Sequence, residues 1–218
     1  DRHYGHGYLN VTGAIKKSCN YFFYELGYRM GIDPVIKYAK AYGLGIKTGI
    51  ELSGEAEGIV DLKKQCQDLY GQQWQLGDTL SAVIGQSYND YTPIQIARYV
   101  SMLANGGKSV DVTLIKSITD ADGNKISKDE YEKKIKEKLG IEDIPEVKDL
   151  NIKKENLDAI LKGMKGVTSE TGGTAYYVFS DLDIDIGGKT GSAETGIKNQ
   201  VNGWFAGFAP YDDPEIAI

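Results

Sequence analysis

Long apolar runs, clusters of basic residues and cysteines are all scarce in this sequence. No run of roughly 18 apolar residues occurs, so these residues predict no membrane-spanning helix. The formal net charge is -6 and Lys/Arg-rich runs are absent, which argues against nucleic acid as the main ligand. The pattern of a secretory signal peptide is absent too. The two cysteines, Cys19 and Cys66, are too few to indicate a redox compartment.

The chain does have enough apolar residues for a core. It contains 218 residues, 41% of them hydrophobic, which suits one globular domain or two. Helical patterns come first and strand patterns mostly last, and this order predicts an α+β class with an antiparallel sheet. In the segment 111–150, a strand pattern, the turn signal Asp122-Gly123 and a Lys/Glu-rich stretch predict a hairpin and a charged helical insert.

Periodicity and capping residues predict the individual elements. Helices are expected at 12–17, 21–30, 35–42, 94–104 and 156–167, and strands at 112–119, 183–186 and 203–210. Thr12 and Thr92 are the expected N-caps of the first and fourth helices. The helix at 21–30 is expected to be largely buried. The glycine-rich span 44–91 shows no clear element, and such spans often border a binding groove.

The polar chemistry concentrates around Lys189, on or beside a strand that hairpins to the strand at 203–210. A cation, a hydroxyl, a glycine and a second hydroxyl follow in order at 189–192. Glycine leaves a strand bare on one face, as happens where a ligand lies close. We interpret the stretch as a cradle for an extended substrate that ends in a carboxylate. A Walker A phosphate loop is disfavoured because it requires glycine where the chain has Asp183.

A second motif, Ser18-x-Asn20, places two short polar side chains at a break between helices. Either motif alone is common by chance: Lys-Thr-Gly is expected in about one chain in twenty of this length and Ser-x-Asn in roughly half. Together they gain meaning, because a serine hydroxyl beside a lysine ammonium forms a proton relay. This pairing occurs in penicillin-interacting serine enzymes. We therefore predict that residues 18–20 and 189–192 face each other across one groove.

From end to end, the chain resembles the transpeptidase domain of class B penicillin-binding proteins of the elongation or sporulation type. The shared blocks follow the family order: Gly5-His6-Gly7, 14–26, Tyr42-Gly43-Leu44-Gly45, Ile84-Gly85-Gln86, 92–97, 188–194 and 203–211. The family usually has glycine where Ser87 stands. The resemblance implies the penicillin-binding and serine β-lactamase-like transpeptidase fold, a helical subdomain plus an antiparallel sheet.

One family block is missing, since no serine here has a lysine three residues later. The family's nucleophile lies in Ser-x-x-Lys, upstream of Ser-x-Asn. We therefore expect residues 1–218 to be the C-terminal part of one transpeptidase domain, incomplete at both ends. On their own, these residues are expected to be inactive.

The resemblance implies three catalytic residues. Ser18 would relay a proton between the nucleophile–lysine pair and the leaving amine. Asn20 would hydrogen-bond the amide side chain of the substrate. Lys189 would keep the site electropositive and hydrogen-bond Ser18. The implied reaction is acyl transfer, in which a D-Ala-D-Ala stem peptide acylates serine and a neighbouring stem's amine takes the acyl group.

The resemblance also implies a substrate-binding strand. The hydroxyls of Thr190 and Ser192 would bind the terminal carboxylate of the stem peptide or that of a β-lactam. The Ser192 N–H would form half of the oxyanion hole. Gly191 would let the substrate strand lie against the sheet.

Partners, location and a metal follow from the resemblance as well. The implied parent is a D,D-transpeptidase on the extracytoplasmic face of the bacterial plasma membrane, anchored by an N-terminal segment outside these residues. Its implied partners are stem peptides, β-lactams, membrane glycosyltransferases and morphogenesis proteins. The chemistry needs no cofactor. Some elongation-type relatives hold a zinc on the histidine and cysteine that match His6 and Cys19, and Asp1 is a further candidate ligand. The alternative is a packed cysteine and a loop histidine without metal.

Two other functions stay open. A serine β-lactamase or β-lactam sensor shares Lys-Thr-Gly, but the Glu-x-x-x-Asn block of class A β-lactamases is not recognisable. The long gap from Ser18 to Lys189 also favours a biosynthetic transpeptidase. The second alternative is a non-catalytic module that docks a cell-wall partner through the groove.

Overall fold

The computed structural model describes residues 5–141, 144–198 and 200–218, which form an α+β fold. Its helices are α1 (Val11–Lys17), α2 (Asn20–Met30), α3 (Asp33–Ala41), α4 (Leu62–Tyr70), α5 (Leu76–Ala82), α6 (Pro93–Ala104), α7 (Lys128–Leu139), α8 (Lys154–Ser169) and α9 (Tyr176–Phe179). Its strands are β1 (Ile118–Thr119), β2 (Lys125–Ile126), β3 (Gly187–Glu194), β4 (Val201–Ala209) and β5 (Ile216–Ala217). Within the described ranges, no helix is both long and apolar enough to cross a membrane.

The break between α1 and α2 lies where the sequence predicts it. The Ser18 backbone turns into the left-handed region, with φ 49° and ψ 50°, and α2 begins two residues later. The expected N-cap is wrong by two positions, because the Asn10 side chain accepts from Gly13 N and caps α1. Thr12 Oγ1 instead donates to Ala159 O of α8 at 2.9 Å. That bond ties the first helix to the long helix that supports the sheet.

The helix at 94–104 is confirmed as α6, and Thr92 is its N-cap. Thr92 and Gln95 form a reciprocal capping box, which pairs two backbone N–H groups at the helix start. The Gln95 side chain is fully buried. Its Nε2 also donates to the carbonyls of Ile46 and Glu57, at 2.9 and 2.8 Å. This one side chain therefore joins the helix to the long glycine-rich segment.

The predicted hairpin is confirmed as β3 and β4, which pair antiparallel with Lys189 opposite Ala206. β5 pairs on the other side of β4, so β3 is an edge of this three-stranded sheet. Phe208 of β4 packs into the core with Val100 and Leu103 of α6 and Met164 of α8. Burial of such a ring stabilises the fold by roughly 1.5–3 kcal/mol. The core thus fixes the sheet against α6 and α8, and α8 also packs on α1.

Several expected elements differ from those observed. The span 44–91 contains two short helices, α4 and α5, where none was expected. The strand expected at 112–119 is formed only at its last two residues, although the hairpin and the charged helix α7 are both confirmed. The helix at 21–30 is mostly exposed rather than buried, since Gly27 is its only buried residue.

The strand expected at 183–186 is wrong, because those residues form bends and coil before β3 begins. α8 satisfies their polar groups instead. Lys165 forms an ion pair with Asp185 at 2.6 Å, and Thr168 Oγ1 donates to Ile186 O at 2.5 Å. These two contacts fix the segment 183–186, which precedes β3, although it pairs with no neighbouring strand.

Candidate active site

Ser18 ends α1 in a backbone conformation that few non-glycine residues adopt. The turn is stabilised because the backbone N–H groups of Ser18 and Cys19 donate to Ile15 O and Ala14 O, at 3.1 and 2.9 Å. The Ser18 side chain is half-buried at this corner. Asn20 is the first residue of α2 and is exposed. The corner therefore places both residues of the first motif at the break between α1 and α2.

Lys189 of β3 reaches this corner. Its Nζ donates to Ser18 Oγ at 2.8 Å and to Thr190 O at 2.6 Å, although Ser18 and Lys189 are 171 residues apart in sequence. α8 packs against both α1 and β3 and so sets this approach. Burial lowers the pKa of Lys189 from its usual value. The predicted meeting of residues 18–20 with the Lys189 strand is observed at this contact.

The next three residues of β3 differ in exposure. Thr190 is half-buried, and its Oγ1 lies 2.7 Å from Thr174 Oγ1. Gly191 and Ser192 are exposed on the edge strand. A Cβ on Gly191 would meet only the Trp204 Cβ, at an ordinary contact distance of 3.4 Å. The strand therefore leaves space at Gly191 for a neighbouring ligand.

The interpretation of a bare strand face is wrong for the two glycines that precede Lys189. A Cβ on Gly187 would clash with the Phe208 ring, and one on Gly188 would clash with the Phe205 ring. Phe205 in turn stacks on Phe179 of α9, with ring centroids 4.9 Å apart. These glycines are required by aromatic packing from β4. Only Gly191 keeps the open surroundings expected of a ligand contact.

Two further side chains at the site were not identified from the sequence. Thr174 contacts Thr190, and the Gln86 side chain donates to Ser192 O at 3.3 Å. Gln86 could have been identified from the sequence, because it lies in the Ile84-Gly85-Gln86 block shared with the family. Thr174 follows two glycines, which indicated only the end of a helix.

The described residues do not supply a zinc site. Cys19 is buried at the start of α2, His6 lies in the loop before α1, and Asp1 is outside the described residues. Within residues 5–141, 144–198 and 200–218, no group of three His, Cys, Asp or Glu side chains is placed to hold a metal. A structural zinc needs four ligands in a tetrahedral arrangement. The described residues therefore leave a structural zinc at His6 and Cys19 unsupported.

Comparison with known proteins shows which family the chain belongs to. The sequence profile of the penicillin binding protein transpeptidase domain matches residues 1–218. Peptidoglycan D,D-transpeptidase MrdA of Haemophilus influenzae is 31% identical over 229 aligned residues, which cover 98% of this chain and 33% of that protein. The chain thus spans about a third of the length of the curated relatives it matches.

Solved structures agree with the observed architecture. PBP2 from Pseudomonas aeruginosa, in complex with WCK 5153, matches with a TM-score of 0.79 at 30% identity, covering 98% of this chain and 43% of that one. PBP2 from Helicobacter pylori, in its complex with MreC, matches with a TM-score of 0.77 at 28% identity, covering 98% and 36%. With its profile matched over every residue and its Ser-x-Asn serine bound to the Lys-Thr-Gly lysine, the chain belongs to the penicillin-binding protein transpeptidase domain family.

Proposed function

We propose that this chain is part of a peptidoglycan D,D-transpeptidase that cross-links stem peptides by serine acyl transfer and is acylated by β-lactams. The single observation that carries the proposal is the hydrogen bond from Lys189 Nζ to Ser18 Oγ, 2.8 Å long, between two motifs far apart in sequence. The reaction class is also supported by the similarity to MrdA of Haemophilus influenzae, which is named a peptidoglycan D,D-transpeptidase.

The direction of this hydrogen bond sets the direction of proton transfer. A protonated lysine has three donors and no acceptor, so Ser18 Oγ accepts from Lys189. The Ser18 hydroxyl proton then stays available for a third group. In acyl transfer that group is the leaving amine, which must gain a proton as its bond to the acyl carbon breaks. In this arrangement the Ser18 hydroxyl donates its proton to the leaving amine. The hydroxyl then regains a proton from the nucleophilic serine.

The strand beyond Lys189 is proposed to bind the substrate. A stem peptide in extended form would lie along the β3 edge, with its terminal carboxylate near the Lys189 charge and the hydroxyls of Thr190 and Ser192. The Ser192 N–H would donate to the developing oxyanion. Gly191 would allow close approach of the ligand backbone. Asn20, exposed beside Ser18, would hydrogen-bond the substrate amide.

We infer that the nucleophile is not among these residues, because the sequence has no Ser-x-x-Lys. We propose that residues 1–218 form one part of a single transpeptidase domain and that the acylated serine comes from outside them. All functional tests below therefore use the full-length protein. Residues 1–218 alone are expected to leave penicillin unreacted.

Partners and location are proposed from the same family. We infer that the whole protein works on the extracytoplasmic face of the bacterial plasma membrane, beside a membrane glycosyltransferase and morphogenesis proteins. The similar PBP2 from Helicobacter pylori was solved in complex with MreC, which supports the proposal that the whole protein binds a partner protein.

Replacing Ser18 by alanine tests the proposed function. Ser18→Ala removes the relay but leaves the Lys189 charge, so the rate of acylation by a fluorescent penicillin should fall by roughly a hundredfold or more. The matched control is Ser53→Ala, since Ser53 is an exposed loop serine. Ser53→Ala should label like wild type. A wild-type protein that never acylates, or a Ser18→Ala variant within threefold of wild type, would contradict the proposal. Release of hydrolysed penicillin within minutes would indicate a β-lactamase instead.

Adding a methyl group at Gly191 tests whether a ligand lies against the strand. Gly191→Ala should fold normally, because the new Cβ meets one atom at 3.4 Å. Penicillin acylation should nevertheless slow by about tenfold, since the methyl group occupies the ligand's space. Gly203→Ala is the control. Gly203 lies on β4 opposite Ser192 of β3, and a Cβ at this position would meet nothing within 4 Å. Equal acylation rates for the two variants would rule out close ligand contact at Gly191.

A further inference from the structure

The loop after α8 carries a hydroxyl that belongs to neither motif. Thr174 Oγ1 and Thr190 Oγ1 lie 2.7 Å apart and share one hydrogen bond. Thr190 is one of the two hydroxyls to which we assign the substrate carboxylate. For that role its own proton must point at the ligand, so its contact with Thr174 decides whether it can act.

The backbone fixes the position of Thr174 from both sides. Ala175 N–H donates to Val167 O of α8 at 3.0 Å. Gly173 is buried against the same helix end, where a Cβ would collide with the carbonyl oxygens of Gly166 and Val167. α8 also packs on β3. The distance between the two threonine hydroxyls is therefore set by the packing of α8 on the sheet.

Each threonine hydroxyl has a single proton, and this restricts how Thr174 and Thr190 can hydrogen-bond to each other and to a ligand. A threonine hydroxyl has one proton to donate and two lone pairs that accept. When Thr190 donates to Thr174, no Thr190 proton is left for a carboxylate. When Thr174 donates to Thr190, the Thr190 proton is free, and an anion in the groove favours this arrangement. Two hydroxyls in series also strengthen each other's hydrogen bonds.

We propose that Thr174 is a positioning residue, which donates to Thr190 Oγ1 and so directs the Thr190 hydroxyl at the carboxylate of a stem peptide or β-lactam. This inference rests on the proposed function. It assigns the loop at 173–175 to recognition of the carboxylate, and it predicts that the effect of Thr174 depends on Thr190 and on a negative charge in the ligand.

The test compares three variants of the full-length protein by their second-order rate constants of acylation. With benzylpenicillin, Thr174→Val should react about tenfold more slowly than wild type, the usual effect of losing one hydrogen bond next to a charged group. Thr174→Ser keeps a hydroxyl and should stay within about twofold of wild type. Thr171→Val is the matched control, because Thr171 is exposed on the same loop and undergoes the same chemical change.

Two further measurements separate a positioning role from a purely structural one. The Thr174→Val loss should appear as weaker non-covalent binding with an unchanged limiting rate of acylation. It should vanish with the methyl ester of benzylpenicillin, which lacks the carboxylate charge. In a Thr190→Val background, Thr174→Val should cause no additional loss, because the hydroxyl it positions is already gone.

Each opposite result overturns the inference. These are a wild-type rate for Thr174→Val, an equal loss with the ester, an additive loss in the Thr190→Val background, or no recovery with Thr174→Ser. Failure of the inference is distinguishable from failure of the proposed function. In the first case wild type still acylates rapidly and Ser18→Ala still loses activity, whereas in the second wild type itself does not react.

Discussion

Lys189→Met in the full-length protein is expected to lower the rate of β-lactam acylation by about three orders of magnitude or more. Methionine keeps most of the side-chain length but removes the charge and all three N–H donors. In the proposed mechanism, Ser18 then loses the donor that directs its proton, and the site loses the positive charge that attracts the ligand carboxylate. Both effects act on one reaction, and labelling with a fluorescent penicillin measures them together.

The control for this variant is another lysine of the same hairpin. Lys198→Met changes an exposed side chain between β3 and β4 and should label like wild type. Labelling of the Lys189→Met protein within tenfold of wild type would remove Lys189 from the proposed mechanism. The Ser18 contact would then be structural only.

Gln95→Leu is expected to have the largest effect on stability. The buried Gln95 side chain donates to Ile46 O and Glu57 O and accepts from Thr92 N at 3.2 Å. Leucine matches the volume but removes all three hydrogen bonds, each of which contributes about 0.5–1.5 kcal/mol. The melting temperature should fall by roughly 10 °C, taking about 2–4 °C per kcal/mol for a domain of this size.

Thermal unfolding of the full-length protein, followed by circular dichroism, checks this expectation. Gln67→Leu makes the same substitution at an exposed position of α4 and should shift the melting temperature by no more than about 2 °C. A Gln95→Leu protein as stable as the Gln67→Leu control would show that the bonds of Gln95 to the glycine-rich segment contribute little.

Elements with strong local signals could be predicted from the sequence. Thr92-Pro93 fixed the start of α6, and the apolar run at 203–210 after the Lys189 stretch gave the β3–β4 hairpin. The helices α4 and α5 were missed because they are short and their starts carry weak signals. α5, for example, begins with a capping box in which Gln75 replaces the usual serine or threonine.

The strand expected at 183–186 shows a different limit. Alternating aspartate and isoleucine is typical of a strand, but the Asp185 carboxylate and the Ile186 carbonyl find partners on α8 rather than on a neighbouring strand. Tertiary contacts override a local preference here. A single sequence does not reveal which distant helix will supply those partners.

The candidate site was predictable to the extent that its residues lie in motifs. The meeting of Ser18 with Lys189 was predicted from the pairing of two tripeptides that mean little alone. Thr174 and Gln86 reach the site from loops whose direction depends on how α8 and α5 pack. Chance matches to a lone threonine or glutamine are too frequent for composition to single them out.

The left-handed backbone of Ser18 costs folding free energy at a residue to which we assign a proton relay. Folding alone favours glycine at such a position, because a side chain there costs about 1–2 kcal/mol. Laboratory evolution that selects only for thermal resistance should therefore drift toward glycine at position 18 and erase the hydroxyl. The proposed relay would therefore be held at position 18 at a cost in folding stability.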